Sequence, residues 1–379
     1  MRASTRDSGP AASYPVVVIA GLGLIGGSLA LALKRAGFQG KVLGVSSAAT
    51  LTEAARLGAI DEGFAYDGLS VAAERADLIV LASPISTIIE HLRALGAREG
   101  IPRPGTVVTD VGSTKRAILA AAAESLPRSV HFIGGHPLAG SERRGFAAAD
   151  PFLFQNAYYV LTPAPGVPPA EVDKLGGFLA TTGARMAVLA ADDHDRIAAA
   201  ISHLPQLLAV SLVRFLDDLG ANREHGVHLA AGGFRDMTRI ASSSYSVWRD
   251  IFNTNRDVVS KVLERFLEHT RGAFGHLEED VLSRSFESAA RTRAEIPRDS
   301  KGFLHHLWDV LVLVEDKPGI IAGIAAPLAE KGINIKDIEV LKVREGEGGT
   351  LRLAFETREL AAAAVEELRR RGYEARERE

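Results

Sequence analysis

A histidine in an unusual frame is the first candidate for chemistry in this chain. His136 lies between two glycines and a proline, in the segment Gly134-Gly135-His136-Pro137. Glycine lets a ligand approach the backbone closely, proline fixes the exit of a turn, and an imidazole titrates near neutral pH. The residues themselves leave two interpretations open: a histidine that transfers a proton, and a loop histidine that only hydrogen-bonds to its neighbours.

A glycine-rich loop near the start of the chain is the second candidate. Gly21-Leu22-Gly23-Leu24-Ile25-Gly26 follows the apolar run 16–20 and opens a helical pattern. Its glycines allow a tight turn and leave room for a pyrophosphate, whose charge meets free N–H groups at the helix N-terminus. The order strand, loop, helix therefore predicts a dinucleotide site. Its residues are Gly21, Gly23, Leu24, Ile25 and Gly26.

The choice of dinucleotide depends on the residue after the second strand. A carboxylate there would bind the ribose 2′-hydroxyl of NAD, and Ser46 occupies the position. Serine does not repel a 2′-phosphate, but no adjacent arginine would hold one. NADP therefore stays open, and NAD is favoured because Ser46 can still hydrogen-bond a ribose hydroxyl.

Further polar residues follow other predicted strands. Ser83 and Pro84 come after the run 78–82, at the sheet edge where such ligands bind, and we assign them to the cofactor site. Ser113 and Lys115 follow the run 107–110 at the same edge. A helix cap and a solvated lysine are the alternatives for these two residues.

Composition narrows the class of protein. With 379 residues, 46% of them hydrophobic and 24% charged, the chain suits two or three soluble domains. A net charge of -3 with dispersed lysine and arginine argues against a nucleic-acid partner. The absence of cysteine excludes disulfides and cysteine zinc sites, and no cluster of His, Asp and Glu has metal-ligand spacing. We expect an enzyme without a metal.

Two features bear on location. Residues 1–13 have no apolar core that could serve as a signal peptide, and they predict a short disordered tail. Charged residues interrupt every apolar run before it reaches membrane-spanning length. The sequence therefore predicts a cytoplasmic protein with no membrane partner.

The hydrophobic pattern of residues 14–190 predicts an α/β domain. Short apolar runs alternate there with helical patterns, which is typical of a parallel sheet covered by helices on both faces. We expect a doubly wound domain of the Rossmann type. The apolar runs span residues 16–20, 42–45, 78–82, 107–110 and 158–161.

The pattern changes twice more. Residues 191–296 lack strand signals and carry apolar residues at helical spacing, such as Ile197 and Ile201, which predicts an all-helical domain. Residues 297–304 are predicted to be a linker. Residues 305–379 show the order βαββαβ, which is typical of a ferredoxin-like α+β domain.

Together these features resemble one family, the prephenate and arogenate dehydrogenases of tyrosine biosynthesis. The C-terminal part resembles an ACT domain, a fold that usually binds an amino acid for regulation. Several separated motifs in one order are more specific than the glycine loop alone. The matching segments are the glycine loop and residues 110–115, 134–142, 202–205, 232–240, 248–250, 316–319 and 334–335.

The resemblance implies an oxidative decarboxylation. A hydride leaves the ring carbon that bears the 4-hydroxyl for nicotinamide, carbon dioxide departs, and the ring becomes aromatic. By similarity His136 accepts the hydroxyl proton, and Ser113 orients His136 and the nicotinamide. Arg239 is implied to hold a substrate carboxylate, because a guanidinium fork matches two carboxylate oxygens.

The same resemblance places His203, Gln206 and Trp248 around the substrate. Many relatives that use prephenate have a second histidine three residues after the first, where this chain has Gln206. Glutamine forms hydrogen bonds but carries no charge. This departure leaves the choice between prephenate and arogenate open. His194 also matches a family position, with a helix cap as the alternative role.

The ACT resemblance implies an amino-acid effector, and we expect tyrosine as a feedback inhibitor. Its implied contacts are Asp316, Gly319, Asn334 and Ile335. The resemblance also implies a homodimer formed through the helical domain, whose long apolar helices carry more hydrophobic surface than one small bundle hides.

Two other classes of function compete with this one. A non-catalytic sensor that binds a nucleotide and an amino acid would disrupt the set Ser113, His136 and Arg239, and all three are present. A hydroxyacid dehydrogenase would need a catalytic lysine on the first helices of the middle domain, and residues 192–214 contain no lysine. We therefore expect a dehydrogenase that acts on prephenate, with one that acts on arogenate as the near alternative.

Overall fold

The structure is a computed structural model, and it divides into two compact units, Met1–Ser283 and Arg284–Glu379. The predicted tail at residues 1–13 and the predicted linker at 297–304 lie outside the described residues. The domain boundaries proposed from the sequence stay predictions. The described residues are 14–140, 143–275, 278–296, 307–315, 317–344 and 348–378.

One eight-stranded sheet organises the first unit. Its strands are β1 (Val16–Ala20), β2 (Lys41–Val45), β3 (Glu62–Phe64), β4 (Leu78–Leu81), β5 (Val107–Asp110), β6 (His131–Pro137), β7 (Tyr158–Pro163) and β8 (Arg185–Val188). Their order across the sheet is β3-β2-β1-β4-β5-β6-β7-β8. Strands β2 and β3 lie on one side of β1, and β4 and the later strands lie on the other side. The loops after β1 and β4 therefore lead away in opposite directions and leave a crevice at the sheet edge.

Helices cover both faces of this sheet. Their bounds are α1 (Leu24–Arg35), α2 (Ala48–Arg56), α3 (Leu69–Ala73), α4 (Ile85–Gly96), α5 (Arg116–Ser125) and α6 (Pro169–Ala180). Val17 and Ile19 of β1 pack into one buried core with α1, α2 and α6. Val18 and Ala20 pack into the other, with α3, α4 and α5. The predicted doubly wound fold is therefore confirmed.

Three strands have no apolar run in the sequence. β3 has only three residues, β6 contains Gly134-Gly135, and β8 is not fully buried along any of its length. The expectation of a wholly parallel sheet is wrong at one place, because β6 and β7 pair antiparallel. Among the described residues of the connection between them, the one helical element is a short 3-10 turn, Phe146–Ala148, whereas a parallel pair would need a crossover.

The rest of the first unit is helical, as predicted. Ile197 is 44% exposed and Ile201 66% exposed, so the apolar residues at helical spacing do not all face the interior. A five-residue π-helical turn, Ala199–His203, precedes α8, and Pro205 stands in the first turn of α8, where a missing N–H costs least. The helices are α7 (Ala191–Ala198), α8 (Leu204–Phe215), α9 (Arg223–Leu229), α10 (Gly232–Thr238), α11 (Tyr245–Thr254), α12 (Arg256–Phe274) and α13 (Glu279–Glu295), whose end lies in the second unit.

The run Ala191–Leu229 is long and apolar enough to cross a membrane by length and composition, with 28% of its most apolar window buried. Its longest stretch without Asp, Glu, Lys or Arg, residues 197–213, is bounded by Arg196 and Arg214. The run is not one regular helix, because the π turn interrupts it and Gly220 adopts a non-helical conformation (φ 55°, ψ -122°). Its exposed apolar side chains are also what a surface that pairs with another protein would carry.

The second unit contains a four-stranded antiparallel sheet with two helices. Its elements after α13 are β9 (Trp308–Val314), α14 (Ile320–Glu330), β10 (Asp337–Arg344), β11 (Gly348–Phe355), α15 (Arg358–Arg370) and β12 (Glu374–Glu377). The strand order is β10-β11-β9-β12. Val310, Ile324, Leu353 and Leu368 share one buried core between sheet and helices. The predicted ferredoxin-like fold is confirmed.

Candidate active site

The glycine loop after β1 is shaped by close contacts on two sides and open space on the third. A Cβ atom at Gly21 would lie 2.5 Å from the carbonyl oxygen of Ala82, and its φ of 101° also favours glycine. A Cβ atom at Gly26 would lie 2.0 Å from the oxygen of Gly21. At Gly23 a Cβ atom would meet nothing within 4 Å. The loop is thus packed where it touches the protein and open where a ligand would approach.

The open side of this loop meets the start of α1, which begins at Leu24 and continues with Ile25. Gly23 is its N-cap, and no side chain caps the helix. The N–H groups of a first helical turn have no partner within the helix, so they point toward the open space and favour an anion there. These residues fit the pyrophosphate of a dinucleotide.

The other predicted cofactor residues lie at the same edge of the sheet. Ser46 follows β2, is 4% exposed and donates its N–H to the oxygen of Phe64 at 3.0 Å. Ser83 donates its hydroxyl to the oxygen of Ala20 at 3.3 Å. Pro84 is the N-cap of α4. All three follow the carboxyl ends of strands next to the glycine loop, as the sequence predicted.

A fully buried ion pair lies behind this edge. Lys115 binds Asp110 through its Nζ atom, and both side chains are completely buried. Lys115 Nζ also donates to the oxygen of Gly135 at 2.5 Å, while Asp110 accepts the N–H of Gly135 at 3.0 Å. Burial lowers the pKa of Lys115, and the charge of Asp110 opposes that shift. The alternative of a solvated Lys115 is therefore wrong.

His136 lies in β6, directly after the residue that this pair holds. Its backbone pairs with Val160 of β7, so the predicted turn around it is wrong. A Cβ atom at Gly134 would lie 2.3 Å from Thr162 Oγ1, and one at Gly135 would lie 2.4 Å from the oxygen of Asp110. The two glycines therefore permit tight packing of β6 rather than a bend.

The imidazole of His136 ends a chain of hydrogen bonds. Its Nδ1 atom lies 2.8 Å from Nε2 of His194, and Nδ1 of His194 lies 2.8 Å from Oδ1 of Asp195. The carboxylate of Asp195 also accepts the backbone N–H groups of Lys115 at 2.7 Å and Arg116 at 2.9 Å. His194 lies inside α7, whose N-cap is Ala190, so the alternative role of His194 as a helix cap is wrong.

Several causes keep His136 uncharged at neutral pH. Burial lowers its pKa most, and the neighbouring His194, Lys115 and His203 lower it further, because a positive charge on any of them would disfavour one on His136. The pKa of His136 therefore lies well below the usual value for histidine. A neutral imidazole is the form that can accept a proton.

A second histidine lies deeper in the helical part. His203 ends the π turn, is 1% exposed, and lies 3.4 Å from Nδ2 of Asn255 through its Nδ1 atom. Its ring meets the edge of Trp248 at a centroid distance of 6.0 Å, and Trp248 stacks on Phe252 at 5.6 Å. Burial lowers the pKa of His203 to about 4, against the opposing charge of Asp195. His203 is therefore also neutral.

Gln206 is hydrogen-bonded to the segment that carries Arg239. Its Nε2 atom donates to the oxygen of Ile240 at 3.1 Å, while its buried Oε1 atom has no hydrogen-bond partner among the described residues. Arg239 precedes Ile240 and is exposed at the surface of the unit. The structure therefore joins Gln206 to the neighbour of Arg239, and it shows no direct contact between Arg239 and His136 within the described ranges.

Ser113 is half-buried in the loop between β5 and α5, at the sheet edge that carries the cofactor residues. Within the part of the chain that the structure describes, the imidazole of His136 hydrogen-bonds to His194 and not to Ser113. The role of Ser113 stays a prediction.

The helical part is fastened to this edge by side chains near Trp248. Asp250 accepts the N–H of Ser86 at 3.0 Å and the hydroxyl of Ser86 at 2.7 Å, in the first turn of α4. Burial opposes ionisation of Asp250, but the hydrogen bonds from Ser86 and the charge of Arg249 lower its pKa. Trp248 and His203 are thereby held next to the cofactor edge.

The predicted effector residues lie in the second unit. Gly319 has a left-handed conformation (φ 86°) and is the N-cap of α14. Asn334 and Ile335 lie between α14 and β10, where Asn334 is exposed and Ile335 packs on the core. Asp316 lies outside the described residues. No group of three or more possible metal ligands occurs among the residues that the structure describes.

Three family models match the chain in sequence order. The model "Prephenate dehydrogenase, nucleotide-binding domain" matches residues 29–188. The model "Prephenate dehydrogenase, dimerization domain" matches residues 190–287, and the "ACT domain" model matches residues 308–372. The chain is also 37% identical over 355 residues to a prephenate dehydrogenase of Bacillus subtilis, which covers 90% of this chain and 92% of that protein.

The chain belongs to the prephenate dehydrogenase family. Two solved structures resemble it with 30% identity over 74% of this chain. One is prephenate dehydrogenase from A. aeolicus in complex with hydroxyphenyl propionate and NAD+, with a TM-score of 0.64 and 98% of that chain covered. The other is Synechocystis arogenate dehydrogenase, with a TM-score of 0.66 and 100% of that chain covered. The resemblance to this family noted in the sequence is confirmed.

Sequence reasoning missed the contacts that hold His136 in this family member. Asp195 and Asn255 were not singled out, and His194 was not connected to His136. One signal was present, because His194-Asp195 is an adjacent base and acid at the start of the first helix after the sheet. Their partners are 58 to 80 positions away in the chain, and no local pattern connects such positions.

Gly23→Ala tests whether the open side of the glycine loop is the pyrophosphate site. The new methyl group meets no protein atom, so we expect thermal stability without ligand to stay within about 0.5 kcal/mol of wild type. The Kd for NAD, measured by calorimetry, should rise at least tenfold. As a contrast, Gly26→Ala places a methyl group 2.0 Å from the oxygen of Gly21 and should destabilise the fold itself. Unchanged NAD affinity in a folded Gly23→Ala protein would place the dinucleotide elsewhere.

Proposed function

We propose that this chain oxidatively decarboxylates prephenate to 4-hydroxyphenylpyruvate, with His136 as the base. The observation that carries the proposal is a neutral imidazole, anchored at Nδ1 by His194, close to the sheet edge that carries the open glycine loop. When bound, NAD supplies the acceptor for the hydride. His136 accepts the proton of the substrate's 4-hydroxyl and returns it to the oxygen of the aromatic product, so the reaction releases no proton.

The remaining residues bind and orient the substrate in this proposal. Arg239 pairs with a carboxylate, because its planar guanidinium donates two parallel hydrogen bonds. Ser113 orients His136 and the nicotinamide from the loop after β5. His203 and Trp248 form a largely dry wall of the site, supported by their edge-to-face contact and the neutral state of His203. Excluding water there protects the proton on His136 from exchange.

Arogenate is the second candidate substrate, and Gln206 is the observation that favours it. The amide N–H of Gln206 is used by the oxygen of Ile240, which leaves the buried Oε1 atom as a free acceptor. The side-chain ammonium of arogenate would donate to that oxygen, whereas prephenate has a keto group there and offers no donor. The 37% identity to a prephenate dehydrogenase keeps prephenate as the first candidate.

Three further parts of the proposal concern the cofactor, the assembly and the location. We propose NAD rather than NADP, because the buried Ser46 offers no positive charge to a 2′-phosphate. A homodimer through the helical part is supported by the match to a dimerization domain and by exposed apolar side chains such as Ile201 and Leu229. A cytoplasmic location accords with a substrate and a cofactor of central metabolism.

Steady-state assays with prephenate and arogenate, each with NAD and NADP, test the function directly. We expect the largest kcat/KM with prephenate and NAD. Arg239→Ala should raise KM for the preferred substrate at least tenfold, since a charged hydrogen bond contributes about 1.5–3 kcal/mol. Arg235→Ala, on the preceding helix α10, is the matched control. A higher kcat/KM with arogenate would establish the alternative, and no turnover of either substrate would refute both.

His136→Asn tests the base. We expect kcat to fall by roughly 10²- to 10⁴-fold with the Kd for NAD unchanged, which is the range for loss of a general base. In the wild type, the acid limb of the kcat/KM profile should lie below the usual pKa of histidine, because the active form is the neutral one and its pKa is lowered. Wild-type turnover by His136→Asn would remove this residue from the mechanism.

We also propose that tyrosine inhibits the enzyme by binding the ACT domain near Gly319. Gly319→Ala should weaken inhibition of the full chain by tyrosine, because the left-handed conformation (φ 86°) strains any side chain there. Gly332→Ala imposes similar strain at the other end of α14 (φ 69°) and should leave inhibition unchanged. Inhibition that competes with the substrate and survives Gly319→Ala would place the effector in the active site.

A further inference from the structure

The two ring nitrogens of His136 have different surroundings. Nδ1 is 2.8 Å from Nε2 of His194, and Nε2 has no hydrogen-bond partner among the described residues. The ring is half-buried, so one side of it remains open to a ligand. A base in this position can act only through Nε2, and only if Nε2 carries no hydrogen.

The hydrogen-bond chain determines which nitrogen carries the hydrogen. The carboxylate of Asp195 accepts two backbone N–H groups, from Lys115 and Arg116, and it has no hydrogen of its own to give. Nδ1 of His194 must therefore be the donor in its 2.8 Å contact with Asp195. When His194 is neutral, its Nε2 atom has a lone pair, and the hydrogen between the two imidazoles then belongs to Nδ1 of His136.

We propose that His194 and Asp195 are positioning residues that hold His136 as its Nδ1–H tautomer and so present a bare Nε2 to the substrate hydroxyl. This inference rests on the proposed role of His136 as the base. It assigns a function to two buried polar side chains, which are 3% and 0% exposed. The energetic cost of burying them is offset by the order they impose on His136.

The route of the proton in the proposed reaction agrees with this arrangement. As the O–H bond of the substrate's 4-hydroxyl breaks, an N–H bond forms at Nε2 of His136. The hydride leaves the ring carbon that bears this hydroxyl and is accepted by the nicotinamide. The bond to the ring carboxylate then breaks, carbon dioxide leaves, and the bonding electrons enter the ring. The proton returns from Nε2 to the product oxygen. Meanwhile the imidazolium donates through Nδ1 to His194, whose other nitrogen is bound to the anionic Asp195.

Charges from four elements face this chain. Lys115, on the loop after β5, His203 on the π turn and His194 on α7 disfavour a positive charge on His136. Asp195, also on α7, is the anion that opposes them, and Asp110 at the end of β5 is already paired with Lys115. Loss of the hydrogen bond between His194 and His136 therefore removes the link through which Asp195 stabilises a positive charge on His136.

His194→Leu and His194→Gln test the proposal by their difference. Leucine fills the space without a hydrogen bond, whereas the amide of glutamine can accept from Nδ1 of His136. We expect His194→Leu to lower kcat roughly 10²-fold, less than complete loss of the base, with KM values for substrate and NAD within twofold. His194→Gln should recover at least tenfold of that loss. His131→Gln, at the other end of β6, is the control and should match the wild type.

The acid limb of the pH profile separates positioning from simple packing. In His194→Leu it should move to lower pH, because the acceptor that stabilises protonated His136 is gone and a neutral His194 exerted no repulsion, and His194→Gln should reverse part of the shift. A His194→Leu protein with wild-type kcat and pH profile would overturn the proposal. An equal loss of kcat in His194→Leu and His194→Gln would also overturn it, since the loss would then come from altered packing and not from the missing hydrogen-bond acceptor for Nδ1 of His136.

Nitrogen NMR of the wild-type protein labelled with ¹⁵N-histidine tests the tautomer without any substitution at His194. The resonances of His136 are assigned by their disappearance in His136→Asn. A hydrogen on Nδ1 and a bare Nε2 at neutral pH are expected, and a hydrogen on Nε2 would refute the proposal. This measurement needs no turnover, so failure of the proposed reaction and failure of the tautomer assignment are distinguishable.

Discussion

The buried ion pair between Lys115 and Asp110 is the interaction on which the geometry of the site depends. It grips both backbone groups of Gly135, and so it determines where the next residue, His136, stands in β6. A pair this deeply buried adds little net stability, because both charges lose their hydration, but removal of one partner typically costs about 3–5 kcal/mol. Its contribution is therefore to specify the position of one strand.

The same loop after β5 organises the other side of His136. The backbone N–H of Lys115 binds Asp195, so one residue fixes the strand that carries the base and the helix that carries its partner His194. Ser113 stands in this loop as well, at the edge shared with the glycine loop. Because one short segment binds Gly135 before His136 and Asp195 after His194, and also lies at the cofactor edge, small shifts of the loop would be transmitted to all three.

How much of this could be predicted depends on whether the signal is local. The order strand, glycine loop and helix was predicted correctly because the three are consecutive in the chain, and the empty space at Gly23 follows from the same few residues. The environment of His136 was not predicted, because its neighbours come from β5, β7 and α7, which are distant in the sequence. In α7 the apolar Ile197 is exposed while His194 and Asp195 are buried, so hydrophobic periodicity indicated the wrong face. Family resemblance pointed to His136 as the proposed base, but not to the residues that hold it in place.

The low pKa of His136 is compatible with the proposed role of general base, because in that role His136 holds the proton only briefly. A strong base would be protonated by solvent at neutral pH and could not act. Departure of the hydride makes the substrate oxygen far more acidic, so a weak base is sufficient to accept its proton. A weak base also returns the proton readily once the ring becomes aromatic. Burial and the nearby charge of Lys115, which would disable a histidine required to stay charged, therefore suit this one.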